Sequence, residues 1–264
     1  MMKKIAIIGG GNLGTAIAEG LISNGFAAPE HIMVTKRNVS TVRSLQDSGV
    51  VVSSDNNAAV RFADVVILAV KPFQVKDVVA NISSEFVQGK HCLVSVVTGV
   101  LISEIQELIP ETIPIFRAMP NTAIAIRQSM TCICHSNANV ELVNYIREMF
   151  DQLGRSVTIE EKLMDASTVL GACGTAFAMR YIRANIQGGI EIGFDANTAS
   201  LIAAQTVKGA AELLLQRHTH PEQEIDKVTT PKGCTIAGLN EMEHMGFSSS
   251  LIKGIVASYR KIGE

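Results

Sequence analysis

The sequence contains no tryptophan, and aromatic residues account for only 5% of its 264 residues. Charged residues are also few, at 18%, and they nearly cancel to a formal net charge of −2. Because no run of basic residues is present, the chain has no electrostatic match for a phosphate backbone, and we expect no nucleic-acid partner. Hydrophobic residues reach 47% and predict a globular protein with an aliphatic core.

Paired cysteines and long apolar runs are also missing. The five cysteines are scattered, with no CxxC pair and no histidine at metal-ligand spacing, which favours a reducing cytoplasm and no metal. Only the apolar run 5–8 precedes the first glycine, too short for a signal-peptide core. The uncharged segment 166–179 ends at Arg180, short of the roughly 18 apolar residues of a membrane span. We therefore expect no membrane association.

Up to about residue 160, short aliphatic runs alternate with longer amphipathic segments, which predicts an α/β fold with a mostly parallel sheet. Several runs are continuously apolar, as is typical of strands covered by helices on both faces. Strands are predicted at residues 4–8, 31–35, 64–70, 91–97, 113–118, 129–134 and 156–159, and helices at residues 12–24, 40–48, 73–86 and 140–153.

From residue 161 onward the alternation stops and the pattern becomes helical throughout. Helices are predicted at 165–193, 196–217 and 221–227, followed by two more, and Asp195 or Asn197 is the expected cap of the second. The block is rich in alanine and glycine and could bury its surface against a second copy of the chain. These patterns divide the chain into domains at residues 1–160 and 161–264.

A glycine-rich turn, Gly9-x-Gly11-x-x-Gly14, follows the first predicted strand and opens the first predicted helix. The first glycine permits a tight turn, the second lets the backbone approach a pyrophosphate, and the third allows close packing of helix on strand. The amino end of the helix then points free N–H groups at phosphate. This context predicts a Rossmann domain; the alternative is a glycine-rich turn without a ligand.

The residues after the second strand discriminate between cofactors. An NAD-specific site carries an acidic residue about 20 residues after the turn, for the ribose 2′-hydroxyl. Here the run is Thr35-Lys36-Arg37-Asn38, which contains a hydroxyl and two cations but no carboxylate. Cations bind a 2′-phosphate that a carboxylate would repel, so NADP(H) is the predicted cofactor, with NAD(H) as a second possibility. For Lys36 alone, a solvated surface turn is an equally good interpretation.

Four further segments occur in one order along the chain. They are residues 69–72 (AVKP), 95–100 (SVVTGV), 117–122 (RAMPNT) and 226–239 (DKVTTPKGCTIAGL). Together with the glycine turn, they make the whole chain resemble the Δ1-pyrroline-5-carboxylate reductases, the last enzymes of proline biosynthesis. The resemblance implies a Rossmann domain followed by an all-helical dimerisation domain. It also implies homodimers, often assembled into larger rings such as a decamer, with each active site shared between subunits.

The resemblance also implies a role for individual residues. At the cofactor, the pyrophosphate would be held by Ile8, Gly9, Gly10, Gly11, Asn12 and Leu13. The 2′-phosphate end would be held by Thr35, Arg37 and Asn56. The nucleotide cleft would be lined by Val70, Lys71 and Pro72. The nicotinamide would lie near Val97, Met119 and Asn121. The substrate, a small cyclic imino acid, would be bound by Thr230, Gly233, Cys234 and Thr235.

The implied reaction is hydride transfer from NADPH to the C=N carbon of a cyclic imine. Because the cofactor carries the difficult step, no acid–base pair is required of the protein. Thr235 is the predicted catalytic residue, through a hydrogen bond to the substrate nitrogen; the alternative is that it is an ordinary helix N-cap.

Two segments depart from the family pattern. Residues 171–176 read GACGTA where the family commonly has GSGPA, which places Cys173 and Thr175 at altered positions, and Lys232 replaces the first of two adjacent glycines. Two other functions stay open: a β-hydroxyacid dehydrogenase-like oxidoreductase, which has the same two-domain plan, and a non-catalytic NADP(H)-binding relative, which the departures at Cys173, Thr175 and Lys232 suggest. The first lacks support because no lysine occurs between residues 165 and 207, where such enzymes place their catalytic lysine.

Overall fold

The computed structural model describes residues 3–262 and divides into two compact units, Met1–Ala172 and Cys173–Glu264. The predicted domains begin at residue 1 and end at residue 264, and residues 1–2 and 263–264 lie outside the described residues. Segment 161–172 belongs to the first unit because it packs on the sheet, where Met164 is buried and the Glu161 carboxylate bonds Arg117.

The first unit is built on one sheet of eight strands in the order β3-β2-β1-β4-β5-β6-β7-β8. The first six strands are parallel to one another, β7 is antiparallel to β6, and β8 is parallel to β7. The strands are β1 (Ile5–Ile8), β2 (Ile32–Thr35), β3 (Val51–Ser53), β4 (Val65–Leu68), β5 (Cys92–Ser95), β6 (Ile115–Met119), β7 (Ser129–Ser136) and β8 (Gly154–Thr158). The prediction of a mostly parallel Rossmann-type sheet is confirmed.

Helices cover both faces of this sheet, and successive residues of β1 pack into different cores. Ile5 and Ile7 belong to one cluster, whereas Ala6 and Ile8 belong to the other. Burial on both faces explains the continuous apolar runs of the central strands. The helices of this unit are α1 (Asn12–Ser23), α2 (Arg43–Asp47), α3 (Asn56–Phe62), α4 (Val75–Ile82), α5 (Ile102–Gln106), α6 (Val140–Asp151) and α7 (Met164–Ser167).

The second unit is helical throughout, as predicted. A π-helical segment, Thr168–Cys173, precedes its first helix. The helices are α8 (Gly174–Glu191), α9 (Ala196–Arg217), α10 (Pro221–Lys227), α11 (Cys234–His244) and α12 (Phe247–Ile262). The cap of α9 is Asp195, whose Oδ1 accepts from the N–H groups of Asn197 and Thr198, and hydrogen bonds from Thr198 hold its pKa below the usual value.

The second unit leaves most of its apolar surface uncovered. Among its described residues, the buried hydrophobic side chains are those of Ala199 and Ala203. Large apolar side chains on its helices are exposed instead, among them Met179, Leu201 and Ile252. Exposed apolar surface on this scale is typical of a protein–protein interface. Within residues 3–262, no helix is long and apolar enough to cross a lipid bilayer.

Candidate functional site

The glycine turn lies at the carboxyl end of β1, in the middle of the sheet. The N–H groups of Gly9 and Gly10 donate to the carbonyl oxygen of Thr35, over 3.2 and 2.8 Å, which fixes the turn against the end of β2. Strand β1 lies between β2 and β4, where the strand order reverses. In open α/β sheets, this switch point is where a ligand binds outside the carboxyl ends of the strands.

Steric contacts explain the glycines of this turn. Gly9 has φ +117°, and a Cβ there would lie 2.3 Å from the carbonyl oxygen of Ala69. A Cβ on Gly14 would lie 2.2 Å from the carbonyl oxygen of Gly9. At Gly11, by contrast, no atom lies within 4 Å of the Cβ position. The fold therefore requires glycine at positions 9 and 14, whereas position 11 is open space of the kind that a pyrophosphate needs.

The amino end of α1 is free of side-chain caps. Its N-cap is Gly11, and no side chain accepts a hydrogen bond from the first turn, which also contains no acidic residue. The unsatisfied N–H groups and the positive end of the helix dipole favour an anion at this position. Together with the space at Gly11, this arrangement fits a dinucleotide pyrophosphate.

At the carboxyl end of β2, Thr35 is buried and its Oγ1 donates to Oδ1 of Asn56 over 2.6 Å. Asn56 is the first residue of α3 and is half-buried. The following Lys36 is half-buried and Arg37 is exposed. The structure thus brings together Thr35 and Asn56, which are 21 residues apart in the sequence, beside the two cations that directly follow Thr35. This group fits a ribose phosphate and offers no carboxylate to a 2′-hydroxyl.

The loop after β4 contributes Val70, Lys71 and Pro72 at the same edge of the sheet. Val70 is half-buried, whereas Lys71 and Pro72 are exposed. The backbone N–H of Lys71 donates to Oε1 of Gln74, which closes the loop into a short turn. The next residue, Phe73, exposes its ring almost completely. Phe73 was absent from the residues predicted from sequence, although an exposed ring directly after the AVKP segment is a usable signal.

Val97 follows β5, Met119 is the last residue of β6 and Asn121 comes two residues later, so all three lie at the same edge. Val97 and Met119 are buried, and Oγ1 of Thr98 contacts Sδ of Met119 at 3.8 Å. Both polar atoms of the Asn121 side chain are used within the fold: Oδ1 accepts from the N–H of Ala123, and Nδ2 donates to the carbonyl oxygen of Gly171. Asn121 therefore ties the end of β6 to the π-helical segment.

The predicted substrate residues lie in the second unit, at the amino end of α11. The N–H of Gly233 donates to the carbonyl oxygen of Thr230 over 2.9 Å, which closes a turn before the helix. Gly233 is the N-cap of α11, and the helix has no side-chain cap. Thr235 is the second helical residue, so the alternative that it is the N-cap is wrong. Its side chain is half-buried, whereas Cys234 and Thr230 are exposed.

The departures from the family pattern have distinct positions. Lys232 lies within the Thr230–Thr235 turn, is exposed and has φ +61°, a left-handed conformation that favours glycine. Cys173 ends the π-helical segment, and Thr175 lies in the first turn of α8. The left-handed backbone at position 232 is one that glycine would adopt without strain.

A cavity of about 480 Å³ lies at the opposite edge of the sheet, before the amino ends of β4, β5 and β6. It is lined by groups such as Asp64, Cys92 and Tyr145 and shares no residue with the predicted cofactor set. Burial raises the pKa values of Cys92 and Tyr145 to about 12, so both stay neutral at physiological pH. The features that fit a dinucleotide, namely the glycine turn, the free helix end and the cations, lie at the carboxyl edge instead.

Across residues 3–262, no group of three or more histidine, cysteine or acidic side chains could hold a metal ion.

Comparison with known proteins identifies both parts of the chain. Residues 161–264 match the family model described as "Pyrroline-5-carboxylate reductase dimerisation". Residues 4–99 match the model described as "NADP oxidoreductase coenzyme F420-dependent".

Curated relatives and solved structures agree with these matches. "Pyrroline-5-carboxylate reductase 1" from Dictyostelium discoideum is 46% identical over 97% of this chain, which spans about half (49%) of that relative's length. "Pyrroline-5-carboxylate reductase 2" from the same organism is 42% identical over 98% of this chain and 92% of its own. The structure of a pyrroline-5-carboxylate reductase from Coxiella burnetii, 28% identical, covers 100% of this chain and 98% of its own, with a TM-score of 0.94.

The resemblance inferred from the sequence motifs is thereby confirmed. The chain belongs to the pyrroline-5-carboxylate reductase family.

Proposed function

We propose that the chain reduces 1-pyrroline-5-carboxylate to L-proline with NADPH, the last step of proline biosynthesis. The observation that carries this proposal is the turn before α11, where an uncapped helix end lies beside the Thr235 hydroxyl. A helix amino end binds a carboxylate through N–H donors, and a hydroxyl can meet the ring nitrogen beside it. The substrate of the named relatives is a small cyclic imine that carries both groups.

On the cofactor side, residues 8–14 hold the pyrophosphate at the amino end of α1. Thr35, Lys36, Arg37 and Asn56 receive the 2′-phosphate, because two cations and two neutral polar groups surround that position. Val70, Lys71 and Pro72 line the nucleotide cleft, and Val97, Met119 and Asn121 form the pocket for the nicotinamide end. NADP(H) is the preferred cofactor and NAD(H) the weaker one.

On the substrate side, Thr230 and Gly233 form the turn that receives the carboxylate, and Cys234, at the amino end of α11, presents its backbone N–H group to it. The Thr235 hydroxyl hydrogen-bonds the ring nitrogen, as donor or acceptor according to the protonation of the imine. The chemistry that the bound cofactor supplies is a hydride for the C=N carbon. An imine is already electrophilic, so the protein acts mainly by orienting two rings and excluding water.

The second unit carries self-association, since it matches a dimerisation family and exposes many apolar side chains. We further propose a homodimer, with dimers able to form larger rings, in the cytoplasm. Each active site would combine the cofactor residues of one copy with the Thr230–Thr235 turn of its partner. We keep residues 1–160 and 161–264 as the functional domains, a division supported by the family match that begins at residue 161.

Turnover of 1-pyrroline-5-carboxylate tests the proposal, with NADPH oxidation followed at 340 nm. We expect the wild-type protein to be active and Thr235→Val to lose about 10- to 100-fold in kcat/KM, because a hydrogen bond to a charged group contributes about 1.5–3 kcal/mol. Thr235→Ser retains the hydroxyl and should stay within a few-fold of wild type. Oxidation of a β-hydroxyacid with NADP by the wild-type protein would support the dehydrogenase-like function instead. Binding of NADPH without turnover of the imine would support the non-catalytic function.

Arg37 is expected to determine the preference between cofactors. Arg37→Asp places a carboxylate where the 2′-phosphate would lie, so we expect the Kd for NADPH to rise by about tenfold or more, the effect of losing a charge-assisted contact. The Kd for NADH should change little. Titration of intrinsic nucleotide fluorescence measures both constants. Arg43→Asp, another charge reversal on the same unit, is the control. Equal losses for both cofactors in Arg37→Asp would contradict this role.

A further inference from the structure

Arg117 is a charged residue inside the core of the first unit. It lies in the middle of β6, and only 1% of its surface is exposed. Its Nη1 donates to Oε1 of Glu161 over 2.9 Å, whereas Nε and Nη2 are buried without a hydrogen-bond partner. A buried guanidinium with two unpaired donors is costly in free energy, and replacing such an ion pair by apolar residues is often neutral or stabilising. Stability alone therefore does not explain the pair.

Glu161 connects three segments through one oxygen atom. The same Oε1 that accepts from Arg117 also accepts from the backbone N–H of Ile102, over 2.8 Å. Ile102 is the first residue of α5, and Glu161 itself follows β8. The carboxylate therefore links β6 to the start of α5, although Arg117 and Glu161 are 44 residues apart in the sequence.

The link joins two segments that carry predicted residues of the nicotinamide pocket. Val97 lies in the segment 96–101, which runs from β5 to Ile102, and Met119 is the last residue of β6, two residues beyond Arg117. The two segments touch where Oγ1 of Thr98 contacts Sδ of Met119. The distance between Val97 and Met119 therefore depends on how β6 is held against the start of α5.

Among the described residues, Glu161 is the ion-pair partner of Arg117. Cys134 lies opposite Arg117 in the antiparallel register of β6 and β7. Burial raises the pKa of the Cys134 thiol to about 11, so at physiological pH it stays neutral and adds no second negative charge beside Arg117.

We propose that Arg117 and Glu161 are a positioning pair that fixes the spacing between segment 96–101 and the end of β6, and so shapes the pocket for the nicotinamide end. The pair acts through Val97 and Met119 on these two segments and does not touch the cofactor. The proposal rests on the proposed function, which places the nicotinamide beside the same two residues.

The double variant Arg117→Met with Glu161→Gln tests this pair. It removes both charges together, so no buried charge is left unpaired and the fold should keep its Tm. We expect the Kd for NADPH to rise and kcat to fall, each by about tenfold, since loss of positioning of about 1 Å can cost up to about 10²-fold. Binding of 2′,5′-ADP, which occupies only the adenosine end, should stay within about twofold of wild type.

The neighbouring exposed ion pair gives a matched control. Glu160 and Lys162 form an ion pair 2.5 Å apart, and both side chains are about 70% exposed. The double variant Glu160→Gln with Lys162→Gln should leave the Tm, the kcat, the Kd for NADPH and the Kd for 2′,5′-ADP unchanged. Wild-type affinity for NADPH in the Arg117/Glu161 double variant would overturn the proposal, as would equal weakening of NADPH and 2′,5′-ADP. The affinity readouts do not depend on turnover, so an inactive wild-type protein would refute the proposed function without deciding the positioning pair.

Discussion

Replacing Gly11 by alanine is expected to weaken NADPH binding about 10- to 100-fold while the Tm stays near that of wild type, because an extra methyl group in a close contact costs about 1–3 kcal/mol. The structure shows why binding should weaken without a loss of stability. Gly11 has φ −82°, which alanine adopts freely, and no protein atom lies within 4 Å of the Cβ position. The new methyl group therefore meets no protein atom, only the space that the pyrophosphate is proposed to fill. Fluorescence titration and thermal unfolding measure the two quantities.

Gly14→Ala is the contrasting control for this prediction. A Cβ at Gly14 would lie 2.2 Å from the carbonyl oxygen of Gly9 and 3.1 Å from the side chain of Ile7, so the backbone must shift and the Tm should fall. Gly11→Ala that binds NADPH as tightly as wild type would show that the turn does not hold the pyrophosphate. A lowered Tm in Gly11→Ala would show that position 11 serves the fold instead.

The parts of the fold that were predictable are those in which local pattern and tertiary environment agree. Strands such as β1 and β4 are apolar on both faces because both faces are covered, and that leaves a continuous run in the sequence. Strand β3 was not predicted, because three residues at the sheet edge carry too little pattern. Helix α3, seven residues long, and α5, five residues long, were also missed, since neither extends over enough turns to show a helical period.

The parts of the candidate site that could be predicted are those whose binding residues are adjacent in the sequence. The glycine turn and the run after β2 each show their chemistry within a few adjacent residues. The Thr230–Thr235 turn carries no such local signal and was reached only through the family resemblance. Glu161 was not predicted at all, since its role depends on a contact with Arg117 across 44 residues. Long-range ion pairs of this kind leave no trace in local periodicity or composition.

The proposed pyrophosphate and carboxylate positions share one structural feature, a helix amino end without a side-chain cap. Both α1 and α11 begin at a glycine N-cap without a side-chain acceptor, so their first N–H groups remain available. Some other helices are capped by a side chain, as α9 is by Asp195 and α6 by Asn139, whereas α4 and α8 are not. A side-chain cap would compete with an anionic ligand for the same donors. The glycine N-caps of α1 and α11 leave these donors available, which is what the proposed anion at each turn requires.

At the second of these turns, Gly233→Ala is expected to lower kcat/KM by about 10²-fold, the scale of a misplacement of about 1 Å at a reacting group. Gly233 has φ −74°, so the backbone angle itself permits alanine. The obstacle is steric: a Cβ would lie 2.5 Å from Oγ1 and 3.0 Å from the carbonyl oxygen of Thr230. Relieving that contact opens the bond from the Gly233 N–H to Thr230 and moves the first turn of α11, with Thr235 on it.

Separate measurements of cofactor and substrate decide how this result is interpreted. The affinity for NADPH should not change in Gly233→Ala, because the cofactor residues belong to the first unit. Lys232→Gly changes the same turn but relieves strain instead of adding it, because glycine adopts φ +61° freely. The Tm should therefore stay the same or rise, and kcat should be retained. Wild-type turnover in Gly233→Ala would mean that the substrate binds elsewhere. A parallel loss of NADPH binding would mean that the substitution disturbs more than the turn.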